Sequence, residues 1–130
     1  MEKMPNDLLA ALLRPELPNV QKDLATCKVK ILRLSELLGQ DIVFTLRGLP
    51  YGKVQSLKES LSDDTSVHIL LAGCVEPNLK APELKEKYGG TTPAETVKAM
   101  LLPGEIDDLA RQIEKLCGFR KATIEEVKNG

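Results

Sequence analysis

The chain has no tryptophan, two tyrosines and two phenylalanines. Its core must therefore be assembled from leucine, isoleucine and valine, and the aromatic platforms on which single-stranded nucleic acid stacks are lacking. Histidine occurs once, as His68, directly before Ile69-Leu70-Leu71 in the most apolar stretch. A hydrolase triad needs a nucleophile, a base and an orienting acid, and one histidine so placed reads as a half-buried residue hydrogen-bonded near a helix start. A metal site would need Asp63 and Asp64 to converge on His68, which their spacing does not require. Cysteine occurs three times, as Cys27, Cys74 and Cys117, with more than forty residues between neighbours. The odd number and wide spacing argue against a disulfide framework and against any CxxC redox or zinc pair, and leave three small, buried apolar side chains.

Charge of one sign is also missing. Eighteen basic residues face nineteen acidic ones, so no global field draws in polyanions, and nucleic acid is not the expected partner. No run approaches the roughly 18 apolar residues of a membrane span, and the first residues lack a signal peptide's apolar region and cleavage site. The expectation is no membrane association and a cytoplasmic protein. GxxxxGK[ST], GxGxxG and GxSxG are all absent, and Gly89-Gly90-Thr91-Thr92 reads as the stop of one helix and the start of the next, not as an anion-binding nest. These absences predict a protein without catalytic residues, metal or cofactor.

What is present is helix periodicity and one short β signal. Residues 5–13 place Leu8, Leu9, Leu12 and Leu13 on one helical face behind an Asn6 cap, and two prolines, Pro15 and Pro18, then break the helix. Residues 1–24 thus form an arm, and 25–130 a single globular domain. Too short to be stable alone, the arm must dock; folding back on its own core is the first expectation, docking on a partner or second subunit the other. Residues 26–34 alternate, with Cys27, Val29 and Ile31 on one side and Lys28 and Lys30 on the other. Residues 41–49 contain Ile42-Val43-Phe44-Thr45-Leu46. An antiparallel hairpin is predicted, with Lys28, Lys30, Arg33 and Arg47 as a local basic concentration on its outer side.

Beyond Pro50 the pattern is helical. Val54, Leu57 and Leu61 recur at helical spacing. Residues 67–75 form an apolar run that suits a buried strand or helix, and helix is preferred because Ala72-Gly73 and unbranched residues fit a strand poorly. Residues 82–88 read as a helix opened by Pro82 and stopped by Gly89. Thr92-Pro93-Ala94-Glu95 is a capping box opening a helix to about residue 101, and Thr123-Ile124-Glu125-Glu126 reads as a second box opening a last short helix. Between them Ile106, Leu109, Ala110, Ile113, Leu116 and Cys117 make one apolar stripe, with Asp107 and Arg111 four residues apart on the wet side. The fold class is α+β, mainly α: a small N-terminal antiparallel hairpin packed on five to six short helices.

The segments Val43-Phe44-Thr45-Leu46-Arg47, Leu71-Ala72-Gly73-Cys74-Val75-Glu76-Pro77-Asn78-Leu79 and Thr92-Pro93-Ala94-Glu95-Thr96-Val97-Lys98-Ala99-Met100-Leu101-Leu102-Pro103-Gly104-Glu105-Ile106, in that order, resemble the XkdN-like tail assembly chaperones of phages and PBSX-type prophages of Gram-positive bacteria. The likeness covers about residues 25–130. It implies a non-catalytic protein that binds the tape measure protein, keeping it soluble while tail tube protein polymerises around it, and that leaves before the virion is finished. The family supplies no catalytic residues to carry over. With it comes an expectation of weak self-association, and of partner contact through Leu8, Leu9, Leu12 and Leu13. The alternative is a small cytoplasmic adaptor that binds some other protein.

Overall fold

The computed structural model describes residues 5–59 and 64–127. Three strands, β1 (Thr26–Lys30), β2 (Val43–Arg47) and β3 (Cys74–Glu76), form one antiparallel sheet in the order β1-β2-β3. The predicted hairpin is β1 with β2, Cys27 opposite Leu46 and Val29 opposite Phe44. Because side chains alternate, these four share one face, where Phe44 and Leu46 are buried, while Lys28, Lys30 and Arg47 occupy the other.

Two parts of the sheet depart from expectation. The first strand stops at Lys30, and α2 (Leu32–Leu38) fills the connection where strand was predicted to residue 34. Leu32, Arg33, Leu34, Glu36 and Leu37 are helix formers without branching at Cβ, and Gly39, at φ 68°, closes the helix by donating its N–H to the Ser35 carbonyl. The buried Ser35 hydroxyl accepts the Ile42 N–H at 2.9 Å, which aims the chain into β2. Arg33 accordingly lies on a helix and not on the outer face of the hairpin. The second departure is β3, which follows helix α4 (Thr65–Gly73) directly. The apolar run is thus helix up to Gly73, as preferred, and strand after it.

The centre of the molecule is α4 against α7 (Pro103–Leu116), with the buried face of the sheet on α7. The predicted stripe supplies Ile106, Leu109, Ala110 and Ile113, all buried, against Val67 and Leu70 of α4. Full burial of side chains such as Leu46, Leu70, Val97 and Ile113 stabilises by roughly 1.5–3 kcal/mol each relative to exposure. Gly73 permits the approach: a Cβ there would lie 2.7 Å from Ile113 Cδ1 and 2.9 Å from the Arg47 carbonyl oxygen. Helix α6 (Pro93–Met100) packs on α4 and adds Ala94 and Val97, and α5 (Pro82–Tyr88) packs on α6.

The α5–α6 turn is built as a stop and a start, with Gly89 and Gly90 both at positive φ. The cap is the predicted one with a shift of one residue. Thr92 Oγ1 accepts the Glu95 N–H, but the Glu95 carboxylate reaches past Thr92 to accept the Thr91 N–H at 2.7 Å and the Thr91 hydroxyl at 2.8 Å. Those bonds hold the Glu95 carboxyl below the usual carboxylate range. The buried Thr96 hydroxyl donates to the Gly89 carbonyl at 2.8 Å and pins the turn from beneath.

Helix α3 (Tyr51–Glu59) buries no residue and touches α4 only lightly; Leu61 and Asp63 fall outside the described residues. Among the described residues the predicted last helix does not form. Residues 122–127 have no regular structure, and Ile124 and Val127 are 90% and 83% exposed. A helix of one or two turns needs a packing surface to offset its nucleation cost, and none meets this segment. At the other end α1 (Pro5–Leu12) forms, with Asn6 inside its first turn and not at a cap position. Its leucines are not folded back on the core.

Candidate functional site

Chemistry-bearing side chains are dispersed over the surface and held by structural partners. His68 is half-buried in α4. Lys98 Nζ donates to Asp64 at 2.6 Å, and Asp107 accepts the Ser66 hydroxyl at 3.0 Å and pairs with Arg111 at 3.7 Å, the predicted spacing of four. Among the described residues no three or more His, Cys, Asp and Glu side chains gather where they could hold a metal ion. The cysteines are free and half-buried. Burial pushes the Cys74 thiol up to about 11, so it is protonated at neutral pH. The Cys117 sulfur accepts the Leu49 N–H at 3.2 Å, joining the end of α7 to the segment after β2.

The basic concentration expected on the hairpin is thinner than its sequence suggests. Arg33 is turned to α7, its Nε and Nη2 on the two Glu105 carboxylate oxygens at 2.9 and 3.0 Å, and Nη2 also donates to the Met100 carbonyl. Lys30 is 3.4 Å from Asp41. The Arg33 fork holds the Glu105 carboxyl below the usual carboxylate range, with the Leu102 N–H adding to the effect. Sequence gave no sign of this pair, whose members are 72 residues apart.

Apolar surface is what the molecule presents. Leu8, Leu9, Leu12 and Leu13 are 57–74% exposed, on positions i, i+1, i+4 and i+5 of the α1 turn, which fall on one side of the helix. The connector after α1 leads to a second apolar feature that sequence reading missed. A cleft of about 270 Å³ lies between α3, α4 and α7, lined by Val54, Leu57, Ile69, Ile113 and Phe119. Lys58 sits 4.8 Å above the Phe119 ring, and beyond this bridge a wider groove is walled by Pro18, Val20 and Leu24 of the connector. The helical spacing of Val54 and Leu57 was the visible signal; Phe119, beyond the end of α7, carried none. Residues 13–17 join helix α1 to the part of the connector that walls this groove.

No helix of the described residues is long and apolar enough to cross a membrane. The fold is similar to one solved structure, described as the crystal structure of the protein yqbn, with a TM-score of 0.65 and 22% sequence identity over 84% of this chain and 95% of that one. At this identity the likeness is one of fold. No curated protein matches the sequence. The profile described as phage XkdN-like tail assembly chaperone protein matches residues 62–129, from the segment before α4 through α7 and into the C-terminal segment. That match covers more than half of the chain and includes the α4–α7 centre of the core, and with it the chain belongs to the XkdN-like family of phage tail assembly chaperones.

Proposed function

We propose that the protein binds the tape measure protein of its phage or prophage in the host cytoplasm and keeps it soluble until tail tube subunits enclose it, acting through apolar surface and without catalysis. The carrying observation is the exposed leucine face of α1. A helix of eight residues is marginal in water by itself, and four leucines left in solvent forgo a stabilisation of roughly 1.5–3 kcal/mol each that a partner surface would supply. A long helical client exposes apolar stripes of matching period, and a leucine face set against such a stripe is helix-on-helix packing. Contact through one short face is weak for a single copy and adds up along a client that binds many copies, so that tube subunits can displace them in turn. The cleft between α3, α4 and α7 is a second apolar surface open to the same kind of contact.

Co-expression with the tape measure protein tests this. The chaperone should raise its soluble fraction and co-elute with it, and the double variant Leu9→Asp, Leu12→Asp, whose positions are exposed, should lose both effects while its circular dichroism and melting temperature stay those of the parent. Failure of the parent to co-elute, or a variant that solubilises equally well, refutes the reading.

A further inference from the structure

The free edge of the sheet offers a second binding surface of a different kind. Just past the two ends of β1, the Ile31 N–H donates to the Ile42 carbonyl and the Gly48 N–H to the Ala25 carbonyl. Odd-numbered residues therefore bond β2, and the backbone groups of Thr26, Lys28 and Lys30 point off the edge, where no hydrogen bond to them is found among the described residues. On the core side of this edge runs a groove of about 500 Å³ lined by Val29, Ile31, Leu109, Asp108 and Gln112. On the opposite face stand Lys28 and Lys30. Like charges set β1 against β1 of another copy. What fits is an extended segment with an apolar residue over Val29 and an acid beside Lys28.

We propose that this edge takes residues 122–127 of a second copy, so that two protomers exchange C-terminal segments reciprocally. The sequence Ala122-Thr123-Ile124-Glu125-Glu126-Val127 is rich in β-branched residues, has no regular structure of its own and leaves Ile124 and Val127 in solvent. Laid antiparallel to β1 with Glu125 opposite Lys28, it puts Ile124 opposite Val29 over the groove, Thr123 opposite Lys30 and Val127 opposite Thr26. Glu126, opposite Cys27, is the one poorly matched residue, and it keeps the pairing weak.

The chain's own segment cannot adopt this arrangement. Gly48 abuts Leu116, so the start of β1 and the end of α7 lie at the same end of the molecule, and Arg120 is tied there to Glu114 at 2.6 Å. Antiparallel pairing would place Ala122 beside Ile31, roughly 17 Å along the strand, with Lys121 alone to span the distance. Running parallel with Glu125 still opposite Lys28, the same segment would set the charged Glu126 over the groove at Val29.

The experiment follows the intact protein by sedimentation velocity across a concentration series, with hydrogen exchange read at the Lys28 and Lys30 amides. Self-association and protection of those amides should rise together with concentration. Lys28→Glu alone and Glu125→Lys alone should each weaken association by about tenfold or more. The two variants mixed in equal amounts should associate like the parent, because both exchanged contacts then pair opposite charges. A protein that stays monomeric throughout, single variants that associate like the parent, or protection independent of concentration would each overturn the proposal. Retained tape measure binding in either single variant would separate its failure from that of the chaperone reading.

Discussion

Replacing Gly73 by alanine adds one methyl where α4, α7 and the sheet converge. The new carbon would stand 2.7 and 2.8 Å from two side-chain carbons of Ile113 and 2.9 Å from the Arg47 carbonyl oxygen. Comfortable contact is about 3.5–4.0 Å, so the shortfall is about an ångström on two sides at once. Ile113 is fully buried and β-branched, so it cannot turn both methyls aside, and the carbonyl belongs to the end of β2. Helix α4 must then shift off α7. Overpacking costs about 1–3 kcal/mol, and the better helix propensity of alanine offsets only part of it at the last residue of a helix. A net loss of about 2 kcal/mol corresponds to a fall in Tm of roughly 6–10 °C for a chain of this size. Thermal and urea unfolding followed by circular dichroism measure it. Ile113→Val, which removes the nearest carbon, should cost about 1 kcal/mol alone, and in combination with Gly73→Ala should leave the protein about 0.5–1 kcal/mol more stable than the sum of the single effects. An alanine variant with unchanged Tm, or a double variant that is strictly additive, would refute the close-approach account of Gly73.

Glu105→Gln should lower Tm by roughly 2–4 °C at neutral pH, a modest effect because the Arg33 guanidinium is partly exposed and screened. The parent's carboxyl is depressed on folding, so its contribution is full above the ordinary carboxylate range and is lost as pH falls through the lowered value; the gap between parent and variant should close in acid and persist at neutrality. Peptide mapping after alkylation should find Cys74 almost unmodified at pH 8 and labelled only as pH approaches about 11, and ready labelling at neutral pH would show that its thiol is not held in a dry site.

Where local pattern and tertiary environment agreed, sequence determined the outcome. The stripe of Ile106, Leu109, Ala110 and Ile113 recurs at the helix period and can bury only as a helix. The alternation of Cys27, Val29, Phe44 and Leu46 specifies both the register and the inner face of the hairpin. Pro82, Gly89, Thr92 and Pro93 marked helix ends because their backbone and capping preferences act within a few residues. Tertiary structure decided what depends on distant partners. Cys74 and Val75 extend the sheet because β2 offers them an edge, and residues 122–127 form no helix because nothing packs on them. Arg33 left the hairpin for Glu105, and Phe119 came to close a cleft beside Val54 and Leu57. A short segment's own free energy lies within about a kcal/mol of several conformations, so the surface it meets selects among them.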